Sequence, residues 1–319
     1  MTYGTTRTAV VAIGGNALAP SGAESSAAAQ FHHTRQSLVQ IVEMALDGWG
    51  ICVVHGNGPQ VGDELLRNDM AAAVAAPLPL GVLVASTAGW IGYMIQQSLE
   101  NALARAHSDR TVATVITQVV VDPGDPALHA PTKFIGHALS GAQAQRLVAD
   151  GQQVRADGHG RLRRVVPSPK PQAIQELATI RRLLARGTIV VCCGGGGVPV
   201  HRHPELGWEG VDAVVDKDLA AGVLARDLGA ELLLILTDVE GVYEGWGTPT
   251  RRLLPRLGLA EAERLDSEGT FGAGSMAPKV RASIDFVRRT GGRAIIAELS
   301  RGCEAVRGEA GTTITVESA

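Results

Sequence analysis

Apolar runs of strand length recur along the chain and alternate with longer stretches of mixed polarity. The runs are continuous in Val, Ile and Leu, which is typical of strands buried on both faces of a parallel sheet. The predicted strands are Ala9–Ile13, Ile51–Val54, Thr111–Val121, Thr188–Cys193, Leu232–Leu236 and Ala294–Ala297. Amphipathic stretches between them predict helices at Thr34–Leu46, Pro171–Arg186, Ala213–Leu228 and Lys279–Thr290. Strands and helices in series predict an α/β fold with a mostly parallel central sheet and helices on both faces.

Two regions interrupt this alternation. Residues 122–169 are rich in Pro, Gly, Arg and Gln, which predicts a protruding insertion rather than a further strand–helix unit of the core. Tyr243–Arg256 carries Gly, Trp and Pro and is interpreted as a surface loop.

Composition narrows the function classes. With 45% hydrophobic and 19% charged residues among 319, the chain has the balance of a soluble folded protein. A net charge of −3 gives no reason to expect a nucleic-acid partner, because binding to the phosphate backbone usually needs a basic face. No stretch approaches the roughly 20 apolar residues that cross a bilayer, and the apolar run near the N-terminus is too short for a secretory signal. We therefore expect no membrane contact and a cytoplasmic location.

The four cysteines are expected to be reduced structural thiols. Cys52, Cys192 and Cys193 lie in apolar, strand-like runs, where cysteine behaves as a small hydrophobic residue. Neighbouring residues of a strand point to opposite faces, so Cys192 and Cys193 are not expected to share a metal. His201 and His203 have no further Cys or His at zinc-binding spacing.

Glycines follow three of the predicted strands directly. The sequences are AVVAIGGNAL with Gly14, Gly15 and Asn16, ICVVHGNGPQVG with Gly56, Asn57, Gly58 and Pro59, and TIVVCCGGGGVPV with Gly194–Gly197. Ligands of open parallel sheets bind outside the carboxyl ends of the strands. Successive glycines there expose backbone N–H groups that can hold anionic oxygens. One such turn is more often a tight connection, but three at one edge predict a site for phosphate or carboxylate oxygens.

Standard nucleotide fingerprints do not account for these turns. The chain has no G-x-x-x-x-G-K-[ST] loop, and GNGPQVG differs from the G-x-G-x-x-G pattern of dinucleotide-binding proteins. A dinucleotide-dependent dehydrogenase is therefore disfavoured.

Charged residues that could act on a phosphoryl group stand in three other places. Asp216, Lys217 and Asp218 begin a predicted helix, where the helix dipole favours a carboxylate, for example as a cap, but disfavours a lysine unless an anion accompanies it. Lys279 repeats this arrangement after Pro278, and Lys133 lies in the proline-rich insertion. A solvated helix start is the alternative for the first two lysines, and a solvent-exposed loop lysine is the alternative for the third. We expect Thr237 and Asp238, at the end of a buried strand, to suit a nucleotide or metal.

These motifs, in this order, closely resemble those of the carbamate kinases, a branch of the amino acid kinase superfamily. The matching segments are AIGGNAL, HGNGPQVG, TQVVVDPGDPA with PTK, RRVVPSPKP, CGGGGVPV, DKDLAAGVLA with LTDVEGVY, and GSMAPKV. The resemblance covers nearly the whole chain. It implies a three-layer αβα sandwich, usually homodimeric, that transfers a phosphoryl group between ATP and carbamate with Mg²⁺, giving ADP and carbamoyl phosphate. It also implies an acceptor lobe at 1–210 with a lid at 122–169, and a nucleotide lobe at 211–319.

The same resemblance implies roles for individual residues. Lys217 and Lys279 correspond to the pair that neutralises the transferred group, Asp218 to the carboxylate that orients both, and Lys133 to a lysine delivered by the lid. The acceptor and phosphoryl oxygens would be held by Gly14, Gly15, Asn16, Gly56, Asn57, Gly58, Gly195 and Gly196. The nucleotide side would be formed by Lys217, Thr237, Asp238, Tyr243, Met276, Pro278 and Lys279. Phosphoryl transfer needs alignment and charge stabilisation rather than a nucleophilic side chain, and the sequence offers no defensible nucleophile.

The chain departs from the family pattern near the lid and the acceptor side. Phe134, His137, Ala138 and Leu139 follow PTK where P-I-G-P-F-Y is common, and Ala88 and Trp90 stand where Gln and Met are expected. Two alternatives to a carbamate kinase therefore stay open. One is a relative that phosphorylates another small carboxylate, and the other is a nucleotide-binding sensor without activity.

Overall fold

The computed structural model describes residues 7–20, 26–158, 160–271 and 275–317, apart from the side chain of Asn16. The helices are α1 Gly15–Leu18, α2 Ala27–Ser37, α3 Val39–Leu46, α4 Gly58–Ala71, α5 Leu80–Arg105, α6 Gly141–Ala149, α7 Leu177–Ala185, α8 Lys217–Leu228, α9 Leu259–Ser267, α10 Met276–Thr290 and α11 Gly302–Arg307. The strands are β1 Thr8–Ile13, β2 Gly50–His55, β3 Val112–Thr114, β4 Gln118–Val121, β5 Lys133–Ile135, β6 Val154–Ala156, β7 Leu162–Val166, β8 Pro171–Ile174, β9 Ile189–Val191, β10 Val198–His203, β11 Gly207–Gly210, β12 Leu232–Thr237, β13 Tyr243–Glu244, β14 Arg252–Leu253, β15 Arg256–Gly258, β16 Arg293–Glu298 and β17 Thr312–Thr315.

A central eight-stranded sheet organises the chain. Its strand order is β15-β17-β16-β12-β1-β2-β9-β3, and all neighbours are parallel except the antiparallel pair β16 and β17. Helices α7, α8 and α10 cover one face, and α3, α5 and α11 cover the other. The predicted α/β fold with three layers and a mostly parallel sheet is confirmed.

Strand β1 shows why its sequence is apolar without interruption. Val10 and Ala12 belong to the hydrophobic core under α8 and α10, whereas Ala9, Val11 and Ile13 belong to the core under α3 and α5. All five side chains are fully buried. Alternate residues of a strand point to opposite faces, so a strand between two helical layers needs apolar residues at every position.

Several predicted elements have different bounds in the structure, and α8, for example, begins at Lys217 rather than at Ala213. Thr111–Val121 is not one strand, because β3 belongs to the central sheet and β4 to a second sheet of order β11-β10-β4-β8. Thr34–Leu46 is divided between α2 and α3 at Leu38. The start of Pro171–Arg186 is strand β8 rather than helix, and it pairs with β4. The helix predicted at the start of Pro171–Arg186 is therefore wrong, and strand pairing, which the apolar pattern does not show, decides where β3, β4 and β8 begin and end.

The cysteines are free and buried, as predicted, but one of them departs from the expected strand geometry. Strand β9 ends at Val191, and Cys193 has φ +49°, the left-handed region that non-glycine residues rarely adopt. The backbone N–H of Cys193 donates to Oγ1 of Thr117 at 3.0 Å. Cys192 and Cys193 therefore do not alternate along one strand.

The insertion carries a small sheet of its own. Strands β5, β7 and β6 are antiparallel in that order, and helix α6 packs beside β6 and β7. This sheet lies in the part Lys133–Val166 of the lid predicted at 122–169, and the name lid refers to this part from here on. Ser140 begins α6 with a capping box, in which its side chain and that of Gln143 each accept the other residue's backbone N–H.

No helix within the described ranges is long and apolar enough to span a bilayer.

Candidate active site

Four neighbouring strands of the central sheet end at one edge. Strands β12, β1, β2 and β9 are adjacent and parallel, so their carboxyl ends lie side by side. Thr237 ends β12, while Gly14, Gly56 and Gly194 follow the other three strands after at most two residues. The sequence prediction that the glycine turns meet at one sheet edge is confirmed by this strand order.

The first two glycine turns touch each other and Lys217. A Cβ atom on Gly56 would lie 2.8 Å from the backbone nitrogen of Gly15 and 3.3 Å from Cδ of Lys217. A Cβ on Gly15 would lie 3.3 Å from Cδ of Pro59. Glycine is therefore needed at position 56, because a side chain there would separate the turns from the lysine.

The third turn packs against the second. A Cβ on Gly195 would lie 2.3 Å from Nδ2 of Asn57, and a Cβ on Gly196 would lie 2.2 Å from the carbonyl oxygen of Val215. Both glycines have positive φ, +67° and +93°, so a side chain is disfavoured on two grounds. The Asn57 amide is buried and donates to Oγ1 of Thr87 at 2.9 Å.

Not every glycine N–H is available to a ligand. The N–H of Gly56 donates to the Ile13 carbonyl at 3.0 Å, and that of Gly196 donates to the Cys193 carbonyl at 2.9 Å. Because they lack a side chain, these two glycines allow other groups to approach the backbone closely, but their N–H groups are not free to donate to a ligand. Gly15 and Gly58 are the first residues of α1 and α4, where N–H groups have no acceptor inside the helix. The prediction for the Asn16 side chain falls outside the described part.

Asp218 joins the two predicted lysines. Lys217 Nζ lies 2.5 Å from Oδ1 of Asp218, and Lys279 Nζ lies 3.0 Å from Oδ2. Asp218 and Lys279 are buried, and the Lys217 side chain is 12% exposed. Helices α8 and α10 pack along each other, which brings their first turns to the same point.

Burial and charge act against each other in this cluster. Burial raises the pKa of Asp218, but the ammonium groups of Lys217 and Lys279 outweigh burial, so the pKa lies well below its ordinary value. The pKa of Lys217 is lowered by burial, which outweighs the attraction of Asp218. The cluster holds two buried cationic groups around one carboxylate, which leaves an excess positive charge for an anion to neutralise.

Lys133 of the lid also reaches this region. Its ammonium group donates to Oδ2 of Asp216, the residue before α8. The other oxygen of Asp216 accepts the backbone N–H groups of Asp218 at 2.9 Å and Leu219 at 3.4 Å, as a helix N-cap does. One carboxylate therefore caps α8 and holds the lid beside the lysine pair.

The lid is seated on helix α4 through two glycines. A Cβ on Gly62 would lie 2.0 Å from Cα of Gly136, and the N–H of Gly136 donates to the Gly58 carbonyl at 3.3 Å. Around this contact, His137 Nε2 lies 3.0 Å from a carboxylate oxygen of Asp63. Backbone contact of this closeness is possible only without side chains.

The predicted nucleotide residues fall into two groups. Asp238 and Tyr243 line a cleft of about 190 Å³, and the Thr237 hydroxyl donates to Asp238 at 3.1 Å. Met276 and Pro278 lie in the first turn of α10 beside Lys279 and, among the described residues, are not part of the cleft lining.

Sequence reasoning missed several residues of the site. Trp246 lines the cleft and packs against Tyr243 with ring centroids 5.3 Å apart, and Arg251 lies over its ring. The sequence predicts a surface loop at Tyr243–Arg256, and the tryptophan within this loop is the signal that could have indicated the cleft. Asp216 gave a signal as a helix cap, but its second role depends on the position of the lid.

His55 was also missed. It ends β2, is fully buried, and its Nδ1 lies 3.0 Å from the carbonyl oxygen of Gly56. Burial lowers its pKa to about 4, against a smaller opposite effect of that backbone hydrogen bond. A Cβ on Gly194 would lie 2.6 Å from Nε2 of His55 and 2.8 Å from Cβ of Ala88. His55 and Ala88 thus pack under the third glycine turn as neutral groups.

Comparison with known proteins identifies the family of the chain. The amino acid kinase family model matches residues 7–298. The carbamate kinase of Pyrococcus horikoshii is 43% identical over 310 residues, covering 96% of this chain and 98% of the relative. That of Halobacterium salinarum is 45% identical over 308 residues, covering 96% and 97%. The structure of carbamate kinase from Giardia lamblia bound to AMP-PNP superimposes with a TM-score of 0.89 at 38% identity, covering 97% of this chain and 98% of that one. The chain belongs to the amino acid kinase family and, within it, to the carbamate kinases.

Proposed function

We propose that this protein catalyses reversible phosphoryl transfer between ATP and carbamate, giving ADP and carbamoyl phosphate. The observation that carries the proposal is the single carboxylate of Asp218, which holds the ammonium groups of Lys217 and Lys279 at the edge where the glycine turns meet. Family membership supports the same activity.

The chain's own groups would act by position and charge. Lys217 and Lys279 would bind the equatorial oxygens of the transferred group and stabilise the negative charge that develops there. Asp218 would keep both ammonium groups fixed, so that no reorganisation is needed during transfer. Lys133 would act from the lid, once it exchanges Asp216 for a phosphoryl oxygen.

The acceptor would lie against the glycine turns. The starts of α1 and α4 offer unpaired N–H groups at Gly15 and Gly58, which suit the oxygens of a small carboxylate. Asn57 would be held in place by Thr87.

The nucleotide would extend from the lysine pair towards Asp238 and Tyr243. The rings of Tyr243 and Trp246 offer a surface for a base, and Asp238 and Glu298 offer acceptors in the same cleft. Mg²⁺ would arrive with the nucleotide, because this ion is commonly held by substrate phosphates and few protein carboxylates. The described residues contain no cluster of three or more potential metal ligands.

A second copy of the chain would cover one face of helix α5. Val82, Gly89 and Tyr93 lie on one side of this helix at spacings of seven and four residues, with Ile116 beside Gly89. Val82, Tyr93 and Ile116 are each 44–53% exposed. We therefore infer a homodimer, and we expect Tyr93→Glu to give a monomer in sedimentation velocity.

The enzyme would act in the cytoplasm.

A coupled assay separates this function from its alternatives. Purified protein is supplied with ADP and carbamoyl phosphate, or with ADP and acetyl phosphate, and ATP formation is followed; ADP binding is measured by calorimetry. The proposal expects ATP from carbamoyl phosphate at the higher kcat/KM. Turnover only with the other acyl phosphate would favour a relative with a different acceptor, and ADP binding without any turnover would favour a sensor.

A further inference from the structure

A second cleft, of about 480 Å³, opens on the outer strands of the central sheet. Helix α11 has only six residues and packs over β16 on this face. Arg256 of β15 and Thr313 of β17 are neighbours in register, and both line the cleft. The glycine-containing loop after α11 forms another wall.

Four arginines line this cleft, two from strands β15 and β16 and two from the ends of helix α11. They are Arg256, Arg293, Arg301 and Arg307. The whole chain carries a net charge of −3, so a local group of four guanidinium groups does not follow from its composition. Guanidinium groups repel one another unless anions lie between them.

Among the described residues, two of the four arginines form ion pairs with acidic neighbours. Arg301 donates to Glu304 at 2.7 Å, and Arg307 donates to Glu309 at 3.1 Å. Within the ranges that the structure describes, neither Arg256 nor Arg293 makes a side-chain hydrogen bond or an ion pair.

The remaining acid in the described lining of the cleft, Glu240, is not paired with an arginine. Glu240 accepts a hydrogen bond from the hydroxyl of Tyr243 and lines the neighbouring cleft as well. Within the described part of the chain, four guanidinium groups therefore face three carboxylates, those of Glu240, Glu304 and Glu309, and the cleft keeps an excess of positive charge at Arg256 and Arg293.

We propose that this cleft binds a small metabolite that carries at least two negative charges on carboxylate or phosphate oxygens. A guanidinium group donates in a fixed planar fork that matches these oxygens, and such hydrogen bonds are among the stronger ones in proteins. Arg256 and Arg293 supply the forks, and the Thr313 hydroxyl supplies a further donor beside them. The volume lies within the range of small-molecule sites.

The proposed anion site is separate from the lysine cluster. None of Lys133, Lys217 and Lys279 lines it. The inference does not rest on the proposed phosphoryl transfer, and a failure of one leaves the other intact.

The test is a titration of the full chain, labelled with ¹⁵N-arginine, in which NMR spectra monitor each addition. The probes are inorganic phosphate and succinate, each added without nucleotide or Mg²⁺ against chloride at matched ionic strength. The Nε–H signals of Arg256 and Arg293, assigned with single Gln variants, should shift and saturate. This site-resolved signal separates the cleft from any phosphate bound at Lys217.

The double variant R256Q/R293Q should bind the effective probe at least about tenfold more weakly, because two charge-assisted hydrogen bonds are lost; this affinity is read from the backbone amide of Thr313 in parent and variant samples labelled uniformly with ¹⁵N. The control is Arg252→Gln, whose side chain pairs with Glu244 outside the cleft and which should bind as the parent protein does. A response to phosphate alone or to succinate alone identifies the anion class. Shifts no larger than those with chloride, or equal binding by the double variant, would overturn the proposal.

Discussion

Lys279 donates to Oδ2 of Asp218 at 3.0 Å and so connects two helices across 61 residues of chain. The other carboxylate oxygen, Oδ1, is taken by Lys217. Since both ammonium groups depend on one acceptor, removal of the carboxylate affects the two lysines at once, whereas removal of one lysine leaves an intact ion pair.

Asp218→Asn should therefore be costly for both stability and activity. Two buried ammonium groups would face each other without a carboxylate, and breaking a buried ion pair in this way costs about 3–5 kcal/mol. We expect a loss of about 3 kcal/mol in the free energy of unfolding, measured with urea, because the Asn oxygen still accepts one hydrogen bond. ATP formation should fall at least about a hundredfold.

Asp285→Asn is the matched control on α10. Asp285 pairs with Arg289 at the surface, where such a pair contributes about 0.5 kcal/mol or less. Equal stability of the two variants would contradict the role given to Asp218.

The two roles of Asp216 can be separated by two substitutions. Asparagine caps a helix about as well as aspartate but carries no charge for Lys133, whereas alanine provides neither. Asp216→Asn should keep the stability of the parent protein to within about 0.5 kcal/mol, and Asp216→Ala should lose about 1 kcal/mol more. Both should speed hydrogen exchange at the lid amide of Gly136. Unchanged exchange in both variants would show that the ion pair does not hold the lid.

Gly62→Ala tests how the lid is seated. The added methyl group would lie 2.0 Å from Cα of Gly136. Because Cα is a backbone atom, this clash can be relieved only if the lid moves away from α4. We expect faster proteolysis within the lid and a lower kcat, with the central sheet unaffected by circular dichroism. Gly141→Ala, in the lid but with nothing near its added Cβ, is the control. The same proteolysis pattern in both variants would rule out a specific seat at Gly62.

The sequence predicted the part of the site that follows from sheet geometry. Neighbouring strands are followed by Gly14, Gly56 and Gly194. Adjacent parallel strands bring their carboxyl ends to one edge of the sheet, independently of how the loops and the lid are placed. The apolar pattern of Thr111–Val121 does not show where the chain passes from one sheet to another, so that break was missed. The sequence could not predict the pairing of Lys133 with Asp216. The two residues are 83 positions apart in the chain, and their contact depends on where the lid packs.

His55 should make stability depend on pH. Its pKa is about 4 in the folded protein, below the ordinary 6.5, so the unfolded chain binds the proton more readily. This contribution is fully present above pH 6.5 and is lost as the pH falls towards 4, by up to about 3 kcal/mol. The variant His55→Gln has no group that titrates at this position. The difference in the free energy of unfolding between the parent protein and the variant should therefore shrink by up to about 3 kcal/mol as the pH falls from 6.5 towards 4. A constant difference would contradict a buried neutral histidine.

The central claim is that the cluster of Lys217, Asp218 and Lys279 transfers a phosphoryl group to and from a small carboxylate. The most direct measurement is the initial rate of ATP formation from ADP and carbamoyl phosphate by the parent protein and by Lys217→Ala. We expect a turnover within about 1–10³ s⁻¹ for the parent. We expect a loss of at least about a thousandfold in the variant, with its circular dichroism unchanged. A near-normal rate in Lys217→Ala, or no ATP from a parent protein that binds ADP, would contradict the account.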